Sequence, residues 1–144
     1  MPQSLDVVER LAARDHYLAV VATTREDGTV QSSVVNAGII DHPGSGERVV
    51  AFVTYGAAKK AHLRARPHAT LTFRAGWEWI AVEGGVELMG PDDPAPDPER
   101  VRLLLREIYQ AAGGEHDDWD AYDRVMQRQR RTAVLLTPDR IYSN

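Results

Sequence analysis

Tyr17-Leu18-Ala19-Val20-Val21-Ala22-Thr23-Thr24, then Asp27-Gly28, then the run from Thr29 to Ile40, is the stretch that decides the fold. The first eight residues are β-rich and apolar, and such side chains fit a pleated, half-buried surface. Asp-Gly between two such runs is a strong short-range hairpin signal. The reading is two antiparallel strands joined by a turn.

Working outward, Val49 to Thr54 is a third strand, and its near-continuous apolar run is what burial on both faces requires. Ala69 to Phe73 is a fourth, and Trp79 to Leu88 a fifth, in which Gly84-Gly85 suggests a bulge. Thr132 to Thr137 closes the set. Four helices accompany the strands. Leu5, Val8, Leu11 and Ala12 share one face behind a Ser4 cap. Ala57 to Arg66 holds good helix formers between Gly56 and Pro67. Asp97-Pro98 opens a third helix whose Val101, Leu104, Leu105, Ile108 and Tyr109 form an amphipathic face ended by Gly113-Gly114. A fourth runs from Asp118, with Trp119, Tyr122, Val125 and Met126 on its apolar side. Asp41 to Glu47 and Pro91 to Pro96 read as loops. Short connections around a hairpin start give an α+β fold, a six-stranded antiparallel sheet curled into a small barrel with flanking helices.

The whole chain, 1–144, reads as a single domain. At 43% hydrophobic and 26% charged, it has the composition of a globular protein rather than a disordered one. Seventeen Lys+Arg against twenty-one Asp+Glu leave a net charge of −4, which speaks against a broadly basic nucleic-acid-coating surface. No cysteine is present, which excludes disulfides, thiolate zinc sites, iron–sulfur clusters and a cysteine nucleophile. No apolar run approaches the ~20 residues a membrane helix needs. Met1-Pro2-Gln3-Ser4-Leu5-Asp6 lacks a basic segment followed by an apolar one, so the expectation is a soluble cytoplasmic protein with no membrane partner.

Standard catalytic signatures are largely missing: there is no phosphate loop, nucleophile elbow or His-Glu-x-x-His. Glu115-His116-Asp117-Asp118 is the one local metal candidate, but it reads better as a helix end followed by an Asp cap, so no metal is expected. Thr54-Tyr55-Gly56 leads from a buried strand into a helix start bearing Lys59 and Lys60. Unpaired N–H groups, the helix dipole and lysines together suit an anion. The same pattern also fits a solvated surface helix. Trp77 and Trp79 flank Glu78, and residues two apart share a strand face. Two indoles there fit a slot for a flat aromatic ligand, a core, or a dimer interface. Arg128, Arg130 and Arg131 close the last helix, where cations complement the dipole.

The ordered set of these features resembles the split β-barrel family of pyridoxamine-phosphate-oxidase-like flavin proteins, and more closely its actinobacterial branch dependent on the deazaflavin coenzyme F420. The resemblance rests on Leu18 to Thr23 with Asp27-Gly28 and Gln31-Ser32-Ser33, on Lys59 to Pro67 with its Lys-x-x-x-Leu-x-x-x-Pro spacing, and on Trp77 through Ala81-Val82-Glu83-Gly84. Gly114 to Tyr122 resembles a stretch particular to one subgroup. The resemblance implies an FMN-binding-type split barrel and a homodimer with cofactor grooves at the subunit interface. It implies Lys59 as the phosphate-contacting lysine, with Lys60 and His62 on the same segment and Thr54 at the strand end beside the phosphate. Ser33 and Asn36 fall where the family places cofactor-facing polar residues, Trp77 and Trp79 where aromatics border the groove, and Arg131 where a basic residue approaches the cofactor tail. Many FMN-binding members carry an arginine two positions before the lysine, where this chain has Ala57. The longer F420 tail could spread its charge over Lys59, Lys60 and Arg131.

The chemistry implied is hydride transfer from reduced F420 to an unsaturated organic acceptor, carried by the cofactor's own ring. No catalytic residue is assigned. Ser33, Tyr55 or bound water could supply the accompanying proton. An FMN-dependent oxidase or flavin reductase, and a non-catalytic F420 or flavin carrier, are the alternatives.

Overall fold

The computed structural model describes residues 4–93 and 97–144. Met1-Pro2-Gln3, part of the stretch read for a secretory signal, and Pro94-Ala95-Pro96 of the expected loop lie outside the described residues. The elements in chain order are α1 (Leu5–Ala13), β1 (Leu18–Thr24), β2 (Val30–Asp41), β3 (Arg48–Thr54), α2 (Ala57–Ala65), β4 (His68–Ala75), β5 (Glu78–Met89), α3 (Pro98–Ala111), α4 (Trp119–Arg128) and β6 (Thr132–Ser143). The six strands form a closed antiparallel barrel in the order β1-β2-β3-β6-β5-β4. No described helix is long and apolar enough to cross a membrane.

The alternation of side chains explains the sequence pattern. In β3, Val50 and Phe52 point into the barrel, in one cluster with Val21, Leu71, Phe73 and Val82. Val49 and Ala51 point outward into a second cluster with Leu104, Leu105 and Ile108 of α3. A strand with a core on each side has no polar face, hence the unbroken apolar run. The same holds in β6, where Val134 and Leu136 face inward and Ala133 and Leu135 face α3. Each such buried aliphatic side chain contributes about 1.5–3 kcal/mol. Val8, Leu11 and Ala12 of α1 and Leu63 of α2 pack on the barrel cluster.

Asp27-Gly28 holds the β1–β2 turn as a three-residue loop. The Arg25 N–H donates to the Thr29 carbonyl (2.8 Å), and Gly28 takes φ +87°. Asp27 Oδ1 accepts from both the Thr29 N–H (3.0 Å) and its hydroxyl (2.6 Å). The expected bulge lies in β5, where the register to β6 shifts between Glu83 and Gly84. A Cβ on Gly84 would meet the Thr137 carbonyl oxygen at 1.9 Å.

β6 runs six residues beyond the expected Thr137. Pro138 reads as a stop, but the β3–β6 ladder already ends at Val50–Leu136. Beyond it β6 pairs with β5 alone, so the missing N–H of Pro138 is tolerated. On the outer face of β2, Gly38 lets α3 come close: a Cβ there would lie 2.6 Å from the backbone of Ala111. That approach sets the C-terminal half of α3 over the end of β3.

Candidate functional site

A groove of about 600 Å³ opens between the β3–α2 junction and the α3–α4 pair. Thr54, Tyr55, Gly56 and Lys59 form one wall, Ile108, Tyr109, Tyr122 and Met126 the other, and Val34 and Asn36 of β2 an edge. Arg131 also lines the groove. Thr54 ends β3 buried, paired in register with Thr132. Gly56 then starts α2 with no side-chain cap, so the backbone N–H groups of the first turn stand at the groove wall.

Among the described residues the lining holds two cations and no carboxylate. Lys59 is half-buried, its Nζ 5.8 Å from the centroid of the Phe52 ring, and burial pushes its ammonium below the ordinary lysine value. Arg131 stacks on Tyr55, and its Nε donates to Gln129 Oε1 (2.8 Å). Burial lowers the Arg131 guanidinium also, opposed by Tyr55 and Tyr122. Among the described residues neither cation pairs with an acid. Half-desolvated, unmatched cations beside free helix N–H groups are the arrangement an anionic group neutralises. The remaining surface is aromatic and aliphatic, suited to the flat body of the same ligand.

A neighbouring hollow of about 630 Å³ lies between α3, α4 and the turn after β5. There Arg102 pairs with Asp123 (3.0 Å) and Arg130 with Asp92, while Arg131 borders this hollow as well as the groove. Its lining also carries the carboxylates of Asp93, Asp97 and Asp123, which oppose an anion, so it serves less well as the candidate.

Of the residues singled out from sequence, the groove brings together Lys59, Thr54, Asn36 and Arg131. Asn36 also braces the chain, its Nδ2 donating to the His16 carbonyl (2.8 Å). The other five lie elsewhere in the chain. Ser33 differs in parity from Asn36, lies on the inward side of β2 with Val35 and Ala37, and does not line the groove. Lys60 is buried beside Lys59, its Nζ 3.5 Å from the Arg130 carbonyl. His62 turns to β1, with Nδ1 3.4 Å from Thr23 Oγ1. Trp77 does not share a strand face with Trp79: it sits with Gly76 (φ +63°) in the two-residue β4–β5 turn and is 94% exposed. Trp79 packs edge-on to Tyr142, ring centroids 6.1 Å apart, beside a hollow lined by Arg10 and Arg14.

Sequence reasoning did not assign Tyr109 and Tyr122 to a site. They belong to a cluster with His116 and Trp119, whose ring centroids lie 5.0–6.3 Å apart. The signal was available: the apolar faces of α3 and α4 both carry a tyrosine, and only aromatic residues on two facing helices build such a wall. The Tyr122 hydroxyl donates to the Leu105 carbonyl (3.0 Å), and burial pushes it up to about 12. Asp123 binds both Arg102 and Arg106, clamping α4 to α3. Asp118 caps α4 by accepting from the Ala121 N–H (3.0 Å), and His116 Nδ1 accepts from the Asp118 N–H (3.0 Å). Among the described residues no three His, Cys, Asp or Glu gather as a metal site would need.

Comparison with known proteins adds an independent line. The model of the pyridoxamine 5'-phosphate oxidase family matches residues 7–144. Solved structures share the fold. A conserved hypothetical protein of Mycobacterium tuberculosis is 17% identical with TM-score 0.67, over 98% of this chain and 84% of that one. A pyridoxamine 5'-phosphate oxidase-related, FMN-binding protein of Nostoc punctiforme is 15% identical with TM-score 0.66, over 99% and 86%. A protein named F420 reductase is 19% identical with TM-score 0.62, over 93% and 94%. At these identities the likeness to the solved structures is one of fold.

Proposed function

The chain belongs to the pyridoxamine 5'-phosphate oxidase family, and from that premise we propose that it is an F420-dependent oxidoreductase acting on an unsaturated organic acceptor. The observation that carries the reading is the pair Lys59 and Arg131, unmatched by any acid in an aromatic-walled groove. The donor set fits a phosphate-bearing, flat cofactor: Lys59 and the first N–H groups of α2 meet the phosphate, Arg131 takes further negative charge of the tail, and the tyrosine wall takes the ring. When bound, F420 supplies two-electron hydride chemistry from its own ring. The chain orients that ring, neutralises its charge and keeps water from its apolar side. Of the two hydroxyls considered as proton sources, Tyr55 lines the groove and Ser33 does not.

The proposed assembly is a homodimer. Val34, Val20, Thr72, Ala81 and Tyr142 pair in register across five strands on the outer face of the barrel. Val34 is 63% exposed, Val20 44% and Tyr142 39%. Thr72 is half-buried and Ala81 buried, so the exposed apolar surface is the adjacent Val20 and Val34 with Tyr142 beyond, and such a patch suits an interface. Val34 is also an edge of the groove, so a second copy covering this row would finish the site. That supports a cofactor site at the subunit interface, with Trp79 on the covered face.

Fluorescence titration with F420 and with FMN is the test. Tighter binding of F420 is the expected result, and tighter binding of FMN would replace this reading with an FMN-dependent oxidase or flavin reductase. Binding of F420 without turnover on a panel of enones and quinones would make the protein a carrier.

A further inference from the structure

Arg131 enters the groove from a strained link. The Arg130 N–H donates to the Gln127 carbonyl (3.1 Å), and the Arg131 N–H to the Met126 carbonyl (2.9 Å). This is the helix-ending motif whose left-handed residue is usually glycine. Here that residue is Arg130, at φ +50°. A non-glycine residue in this region costs roughly 1 kcal/mol or more, and persists where its surroundings hold it.

The surroundings do so on both sides of the residue. The Arg130 side chain pairs with Asp92 in the turn after β5. Its carbonyl oxygen lies 3.5 Å from Lys60 Nζ and 3.5 Å from Thr132 Oγ1, both on buried residues. The next residue of the same turn, Asp93, accepts from Arg64 Nε (3.4 Å) and Nη2 (3.3 Å). Lys60 and Arg64 are on α2, the helix that presents Lys59. The turn therefore ties α2 to the link before β6, and those two elements carry the two cations of the groove.

We propose that Asp92 and Asp93 are positioning residues that clip α2 to the left-handed link at Arg130 and so fix the spacing between Lys59 and Arg131. The inference rests on the anion-binding reading of the groove for its purpose, but not for its geometry. It carries a sign that simple electrostatics reverses. Removing two negative charges near an anion site should tighten anion binding if charge alone acts. Removing a clip should weaken it.

The test is Asp92→Asn/Asp93→Asn, with Asp92→Asn alone as the milder variant, since its ion pair is exposed and its loss leaves the fold in place. Two readouts are needed. The first is the Arg131 Nε–Hε NMR signal of the unliganded protein, shifted upfield by the Tyr55 ring current and assigned by its loss in Arg131→Lys. In the double variant it is expected to move at least half-way back toward the other arginines, with a smaller move in Asp92→Asn. The second is F420 affinity, expected to fall three- to ten-fold. An Arg131 signal unmoved in Asp92→Asn and in any folded double variant overturns the inference, as does unchanged or tighter F420 binding. A moving signal in a protein that binds no F420 supports the clip and removes the proposed cofactor instead.

Discussion

The guanidinium carbon of Arg131 lies 3.8 Å from the centroid of the Tyr55 ring. One residue comes just before β6 and the other just after β3, so the contact joins the ends of two paired strands across the mouth of the groove. It holds a cation at that mouth without spending its charge on an acid. Such contacts contribute about 0.5–2 kcal/mol depending on how far water is excluded.

Tyr55→Leu keeps bulk but removes the ring face. F420 affinity is expected to fall by about 0.5–1 kcal/mol, the range for a partly exposed cation–π contact. Fluorescence titration reads the change. Tyr55→Phe is expected to keep the affinity, because the ring and not the hydroxyl holds Arg131.

Lys59 sets stability against binding. Its folded value is pushed down by burial, so the unfolded chain holds the proton more tightly. The cost of burying the charge is present at neutral pH and disappears as pH rises toward the ordinary lysine value. Lys59→Met is therefore expected to raise the melting temperature of the unliganded protein at pH 7 while weakening F420 binding by about 1–3 kcal/mol. Calorimetry and titration on the same sample check both signs.

Tyr122 behaves oppositely. Its hydroxyl is held neutral up to about 12 in the folded protein, above its ordinary value of 10.0. The stabilisation is complete below the unfolded value and is lost as pH rises through this window. Urea midpoints measured across it should fall less steeply in Tyr122→Phe than in the parent. At pH 7 the same variant should lose about 0.5–1.5 kcal/mol with the hydrogen bond to Leu105.

Val34→Glu places a charge at the groove end of the exposed row. Light scattering should show the homodimer converted to monomer, and F420 binding should weaken with it. Monomer that binds F420 as tightly as the parent would place the site within one subunit.

Gly38→Val tests the seat of α3. The added side chain meets Ala111 backbone at 2.6 Å, and overpacking of this kind costs about 1–3 kcal/mol. Urea denaturation should show that loss, and the groove wall carrying Tyr109 should shift with the helix.

The barrel was readable because each strand's apolar pattern reports the surfaces it meets. The unbroken Val49 to Phe52 run reflects a core on both sides. Gly84 marked the bulge, and Asp97 and Asp118 marked two helix starts that their side chains do cap. The last strand extends past Thr137 because Pro138 faces no ladder on the β3 side, which local sequence does not reveal. In the site, Lys59 and Arg131 come together from distant parts of the chain, which local spacing alone could not show. Ser33 and Asn36 are an odd number of residues apart, and that parity already separated them onto two faces. Trp77 was misplaced because its period-two relation to Trp79 holds only where both lie in the strand. The clip at Asp92 and Asp93 left no mark, since two acids in a proline-rich turn look like any solvated loop.

β6 has one further consequence. It is the sixth strand in sequence, yet it sits between the third and the fifth. During synthesis β3 and β5 must wait, each with an open flank, until residues 132–143 have emerged. The barrel cannot be sealed strand by strand as it is translated, and non-local closures of this sort fold slowly. Until then the apolar run of β3 has an open edge where β6 will pair.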